Sequence, residues 1–140
     1  MIYKLVIAIC SLVIVSTPLH AQTSETNTIK TTPIILIETT KGDIIIELFI
    51  EKAPLTCKNF LQYIEDKYYE QTIFHRVIEG FVIQGGGFDG NYVPKLTRKP
   101  IKNESHLTPS NTKGTIAMAL TSDKNSATAQ FFINLANNSF

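Results

Sequence analysis

The chain has 140 residues, 44% of them hydrophobic and 18% charged, with a formal net charge of +1. That is enough chain for one globular domain, and the composition matches neither a disordered nor a fibrous protein. A net charge near zero with no lysine or arginine cluster offers no basic field to nucleic acid, which removes nucleic-acid binding from the leading readings.

The N-terminus differs from the rest. Lys4 precedes an apolar run, LVIAICSLVIV, and STPLHA follows with the small Ala21 at its end. A basic start, a short apolar core and a small residue at the cut form the layout of a secretory signal. The run is shorter than the roughly 20 apolar residues that a membrane span needs. The expectation is cleavage after Ala21 and export, to the periplasm if the cell is Gram-negative and otherwise outside it, with no stable membrane association afterwards. Cleavage removes Cys10 and leaves Cys57, so the mature chain forms no internal disulfide. Residues 22–33, QTSETNTIKTTP, are polar and Thr-rich and read as a flexible linker. The domain is then 34–140.

IILIETTKGDIIIELF (34–49) holds two β-branched runs around a turn supplied by Lys41-Gly42-Asp43, a hairpin signal. In its second run both faces carry apolar groups, so that strand is expected to be covered on both sides. The period then changes. APLTCKNFLQYIEDKYY (53–69) begins with Pro54, which suits a first helical turn. Cys57, Phe60, Leu61 and Ile64 make one apolar stripe, with Cys57 as a small core residue. TIFHRVI and FVIQG read as two further strands joined at Glu79-Gly80. Residues 85–114 are irregular, marked by GGG and Pro94, Pro100 and Pro109, and are expected to be the most mobile part of the folded body. GTIAMAL (114–120) and QFFINL (130–135) close the series as strands, so the fold class is mainly β with helical covering.

Most catalytic patterns are missing. There is no H-E-x-x-H, no cysteine pair and no acidic-histidine cluster, so neither metal nor cofactor is expected. No G-x-S-x-G elbow marks a serine. GGGFDG lacks the spacing of a phosphate-binding loop and reads as a mobile loop. His75, with no partner carboxylate in view, reads as structural. What remains is Arg76, Gln84, Gln130 and several phenylalanines, of which Phe74 and Phe131 read as core. Arg76 in an apolar strand costs free energy unless something offsets it; taken alone it pairs with Glu79 at the surface.

FHRVIEGFVIQGGG, then GTIAMAL, then AQFFINLANNSF resembles the cyclophilin family of peptidyl-prolyl isomerases in its bacterial exported form. The ordered set APLTCKNF, FHRV, GFVIQGG, IKNE, GTIAMA and QFFIN runs from about residue 34 to the last. The resemblance implies an antiparallel eight-stranded barrel with capping helices, the site lying on the barrel's outer face. The family continues past Phe140 through an active-site histidine, a second helix and two final strands. By resemblance this chain is therefore an incomplete barrel, lacking that second helix and the last two strands.

The resemblance also gives Arg76 a role. Rotation about an X–Pro bond breaks amide conjugation, and in the twisted state the prolyl nitrogen regains a lone pair. A guanidinium beside it donates to that lone pair and finds no equivalent acceptor in the planar amide, which is differential stabilisation of the transition state. Gln84 is implied as the amide that steadies Arg76 and the substrate carbonyl. Phe81, Val82 and Phe132 are implied as the proline pocket, with Val82 in place of a frequent methionine. Ala119, Leu120 and Gln130 are implied as the groove for residues before proline, and the Leu120 backbone pairs with the peptide. Phe140 stands where many members carry tryptophan. The implied partners are proline-containing unfolded or partly folded polypeptides, handled by a monomer. Two further readings stay open: a non-enzymatic peptide-holding module, and a fragment that does not fold alone.

Overall fold

The computed structural model describes residues 32–138. The signal-like segment, nearly all of the linker and Phe140 lie outside the described residues. Among the described residues two antiparallel sheets, one α-helix and one short 3-10 turn (Ser105–Leu107) make up the body. Strands β1 (Ile34–Ile37) and β2 (Ile44–Glu47) form a hairpin. Helix α1 (Pro54–Glu65) follows, and β3 (Arg76–Ile78), β4 (Val82–Gly85), β5 (Ile116–Met118) and β6 (Phe131–Asn134) pair in the order β3-β4-β6-β5. The architecture is mainly β, with α1 as helical covering. Among the described residues no ladder joins the two sheets into a closed barrel.

Alternation decides which face of each strand is buried. Ile35 pairs with Ile46 and Ile37 with Ile44, and these side chains meet the core. Ile45 on the other face is 74% exposed, and Glu47 is exposed beside it. The expectation of a strand covered on both sides is thus corrected: the hairpin packs through one face only, and its outer isoleucines reflect β propensity rather than burial. The reversal also sits one residue earlier than the Lys-Gly-Asp reading. Thr39 O accepts from Gly42 N–H at 3.2 Å, and Gly42 takes φ +119°.

The core joins the inner hairpin face, α1 and the inner face of the larger sheet through Ile46, Leu48, Cys57, Phe60 and Phe131. Phe131 meets Phe60 and Phe74 edge to face, as expected of core rings. Cys57 is buried, and burial pushes its thiol upward, which suits a packing residue. The stripe on α1 is wider than the sequence implied. Asn59 and Tyr63 are also buried, because Asn59 Nδ2 donates to Thr128 O and Arg98 N–H donates to Tyr63 Oη at 2.8 Å. The helix ends at Glu65 rather than near 69. There Lys67 N–H donates to Ile64 O and Tyr68 N–H to Tyr63 O, with Lys67 at φ +55°, a Schellman closure with lysine where glycine is usual.

Residues 85–114 fold onto the body and are tied along both ends of α1. Ala53, the N-cap, offers no side-chain acceptor. The Glu104 carboxylate fills that place, accepting from Leu55 N–H at 3.1 Å, Thr56 N–H at 2.8 Å and the Thr56 hydroxyl at 2.8 Å. At the other end the Lys95 ammonium donates to the Tyr68 and Glu70 carbonyls, and Arg98 pairs with Asp66. Anion at the helix start and cations past its end both match the helix dipole.

Burial alone would raise the Glu104 carboxyl, but the bonds from Thr56 and Leu55, with His106 nearby, outweigh it and hold the group below its usual 4.5. A carboxyl depressed in this way contributes stability above its unfolded-state value and loses it as pH falls through the folded-state value. Glu104→Gln is therefore expected to cost about 1–3 kcal/mol at neutral pH. Urea unfolding should show wild type and variant converging as pH drops below 4.5.

Candidate active site

Strand register lines up the residues of interest. Arg76 pairs with Gln84, Gln84 with Phe132, and Phe132 with Ala117, so all four project from one face of the larger sheet. Phe131, one residue along, points into the core and is 4% exposed. Two adjacent phenylalanines are thus divided between core and site by the pleat.

Arg76 lies on the edge strand β3, whose three residues are all exposed. The cost of burying an arginine in an apolar pair does not arise. Its Nη1 donates to Gln84 Oε1 at 3.2 Å, and Gln84 Nε2 donates to Gln130 Oε1 at 3.0 Å. The orientation of the Gln84 amide follows from chemistry: a guanidinium only donates, so the amide oxygen must face it. Among the described residues Arg76 makes no ion pair with Glu79. It lies instead with its guanidinium carbon 5.7 Å from the centre of the Phe81 ring.

The remaining predicted residues spread around this row. Phe81 is half-buried, and its carbonyl accepts from Leu135 N–H at 2.8 Å and Asn138 Nδ2 at 3.0 Å. Phe132 is half-buried, with its ring on the row. Val82 shares the face but is only 3% exposed, so it presents little surface to a ligand. Ala119 N–H donates to Gln130 O at 2.8 Å, carrying the pairing of β5 and β6 past the strand ends. Leu120 follows at the open sheet edge, 44% exposed. His75 packs on Phe88 with ring centres 4.6 Å apart; burial and the neighbouring Arg76 cation lower its pKa. Its buried Nδ1 has no hydrogen-bond partner among the described residues.

Sequence reasoning missed two kinds of support. Asn134 and Asn138 are buried, and Asn138 Nδ2 also donates to Asn134 Oδ1 at 2.9 Å, which locks the segment that holds the Phe81 carbonyl. Asn134, polar at the end of an apolar strand, with Asn138 four residues on, was the available signal. The glycine run is buried and close-packed rather than mobile. A Cβ on Gly86 would meet Phe131 and Tyr69 at 2.9 Å.

An open cleft of about 890 Å³ is a different place. It lies between the hairpin and the larger sheet, lined by Ile44, Ile46, Ile116 and Met118, and meets the site's neighbourhood at Phe132, Leu120, Ala117 and Asn138. Its apolar lining is core-facing, whereas the polar row lies on the opposite face. The row is the better candidate for chemistry. Among the described residues no group of acidic, histidine or cysteine side chains is placed to hold a metal.

A family model described as cyclophilin type peptidyl-prolyl cis-trans isomerase/CLD matches residues 34–140. The chain belongs to this family. Peptidyl-prolyl cis-trans isomerase B of Escherichia coli is 54% identical over 106 residues, covering 76% of this chain and 65% of that protein. A peptidyl-prolyl cis-trans isomerase of Acinetobacter baylyi is 54% identical over 104 residues, covering 74% of this chain and 55% of its own length. The chain therefore spans 55% to 65% of these curated relatives. Among solved structures, a cyclophilin type isomerase of Cryptosporidium parvum superposes with a TM-score of 0.67 at 30% identity, over 78% of this chain and 70% of that one. That protein was also crystallised in the presence of the dipeptide Ala-Pro.

In this cyclophilin-type sheet the pleat sets the cost of losing each phenylalanine. Phe131→Ala is expected to destabilise by about 3–5 kcal/mol, the usual cost of emptying a buried aromatic site, and Phe132→Ala by less than about 2. Urea midpoints with unchanged slopes would establish the ordering.

Proposed function

We propose that the chain accelerates cis–trans exchange at X–Pro bonds of unfolded or partly folded polypeptides, with Arg76 as the group that stabilises the twisted amide. The observation that carries this reading is the linked row Arg76–Gln84–Gln130 on an open sheet face, with the Phe81 and Phe132 rings beside it. Peptide bonds resist rotation by about 18–20 kcal/mol because rotation breaks conjugation. The pyramidal prolyl nitrogen of the twisted state accepts a hydrogen bond that the planar amide cannot. A guanidinium already held by Gln84 gives that bond without reorganising, so its contribution falls on the transition state. No nucleophile, proton transfer or cofactor takes part. Phe81 and Phe132 receive the proline ring, while Ala119, Leu120 and Gln130 border the preceding residues, which lie along the sheet edge as an added strand.

Arg76→Ala should lower the catalysed exchange rate on a short X–Pro peptide by about 10²–10³-fold, the usual cost of one oriented transition-state donor. The peptide dissociation constant should change much less. Arg76→Lys should recover only part of the rate, because the ammonium lacks the planar fork that Gln84 orients. Magnetisation-exchange NMR at the prolyl signals reads both quantities. An unchanged rate in Arg76→Ala removes the role assigned to the arginine, and binding without acceleration by the wild-type chain leaves a peptide-holding module.

We further propose that the substrates are exported chains. The support is the basic–apolar–small layout of residues 1–21. Mass analysis of exported protein should find Gln22 first. An intact N-terminus retained in the cell would contradict export.

A further inference from the structure

The three consecutive glycines are all buried, yet each lacks a side chain for a different reason. Gly85 faces Phe74 and the Ile73 carbonyl, both within 3.1 Å of where a Cβ would stand. Gly86 combines φ +78° with core rings at 2.9 Å. These two answer to the fold. Gly87 has no such backbone demand, since its φ lies outside the left-handed region. The atoms nearest its missing Cβ belong to the Gln130 side chain: Cγ at 2.5 Å, Cδ at 2.6 Å and Nε2 at 2.6 Å.

The backbone around Gln130 cannot move aside. Ala119 N–H donates to the Gln130 carbonyl at 2.8 Å, and the half-buried Tyr69 donates its hydroxyl to the Ala129 carbonyl at 2.9 Å. Ala129 is 0% exposed. Gly87 is fixed as well, its carbonyl accepting from Lys95 N–H at 3.0 Å. Between two held backbones, only the Gln130 side chain can yield. That side chain supplies the acceptor for Gln84 Nε2, and Gln84 supplies the acceptor for Arg76.

We propose that Gly87 is a positioning residue: its missing side chain is the seat on which the Gln130 amide lies flat, and through Gln130 it holds Gln84 and Arg76 in line. Any β-carbon at 87 lifts the Gln130 amide, leaves Gln84 Nε2 without its acceptor and frees the Gln84 amide to rotate away from Arg76. The three atoms nearest to the missing Cβ all belong to one flexible side chain. This inference rests on the isomerase reading for its rate measurement, but not for its structural one.

The experiment is a cycle of Gly87→Ala, Gln130→Ala and the double variant in the full chain. Gly87→Ala is expected to move the Gln84 side-chain amide signals in the ¹⁵N NMR spectrum of the peptide-free protein. It should also slow X–Pro exchange about tenfold, as loss of one ordering bond would. Gln130→Ala removes the obstructing atoms, so adding Gly87→Ala to it should change the rate no further. Should Gly87→Ala alone fail to fold, the double variant should fold. The proposal is overturned if the Gln84 signals stay in place, if the cost of Gly87→Ala persists in the Gln130→Ala background, or if the double variant does not restore folding. A wild-type chain without rate acceleration counts against the isomerase reading, and the Gln84 signals then decide the role of Gly87.

Discussion

The hydrogen bond from Arg76 to Gln84 is the constraint on which the site depends. An exposed arginine on an edge strand has many rotamers, and holding one of them costs side-chain entropy. Gln84 meets that cost because its amide has one defined orientation: oxygen toward the guanidinium, nitrogen toward Gln130. A lone Arg–Gln contact at the surface would hold little. The link to Gln130, whose neighbouring backbone is pinned to Ala119 and Tyr69, turns it into a row anchored in the body.

The rest of the fold keeps that row still. The site lies on the outer face of a four-stranded sheet whose inner face is packed by Phe131 against Phe60, Phe74 and Tyr69. α1 is clamped by a single long connection, with Glu104 at its start and Lys95 and Arg98 past its end. The same connection begins with the buried glycines under Gln130. One segment thus carries both the helix anchors and the glycine beside Gln130, with Lys95 N–H donating to the Gly87 carbonyl and Glu104 accepting at the start of α1.

Much of this was legible in the sequence because the relevant signals are local. Alternation found the hairpin and the strands, Pro54 and the apolar stripe found α1, and the FHRV and GFVIQGG motifs placed Arg76 and Gln84. Single-strand patterns could not show which apolar face of the hairpin is covered, because Ile44, Ile45 and Ile46 look alike and only packing separates them. Proline and glycine punctuation marked 85–114 as irregular but did not show what the segment ties down. Its anchors, Glu104 to Thr56 and Lys95 to Tyr68, join residues 48 and 27 positions apart and leave no periodic trace. The glycine run misled for the same reason. A missing side chain reads as freedom in one dimension, and in three it reads as a place where something else must fit.

The central claim is that Arg76 acts only as held by Gln84, and a double-mutant cycle between the two tests it most directly. The exchange rate at an X–Pro bond would be measured for wild type, Arg76→Ala, Gln84→Ala and the double variant, with peptide affinity followed in parallel. If the pair works as one unit, Gln84→Ala slows exchange in the presence of Arg76 and costs almost nothing once the guanidinium is gone. Independent, additive losses from the two substitutions would contradict the account.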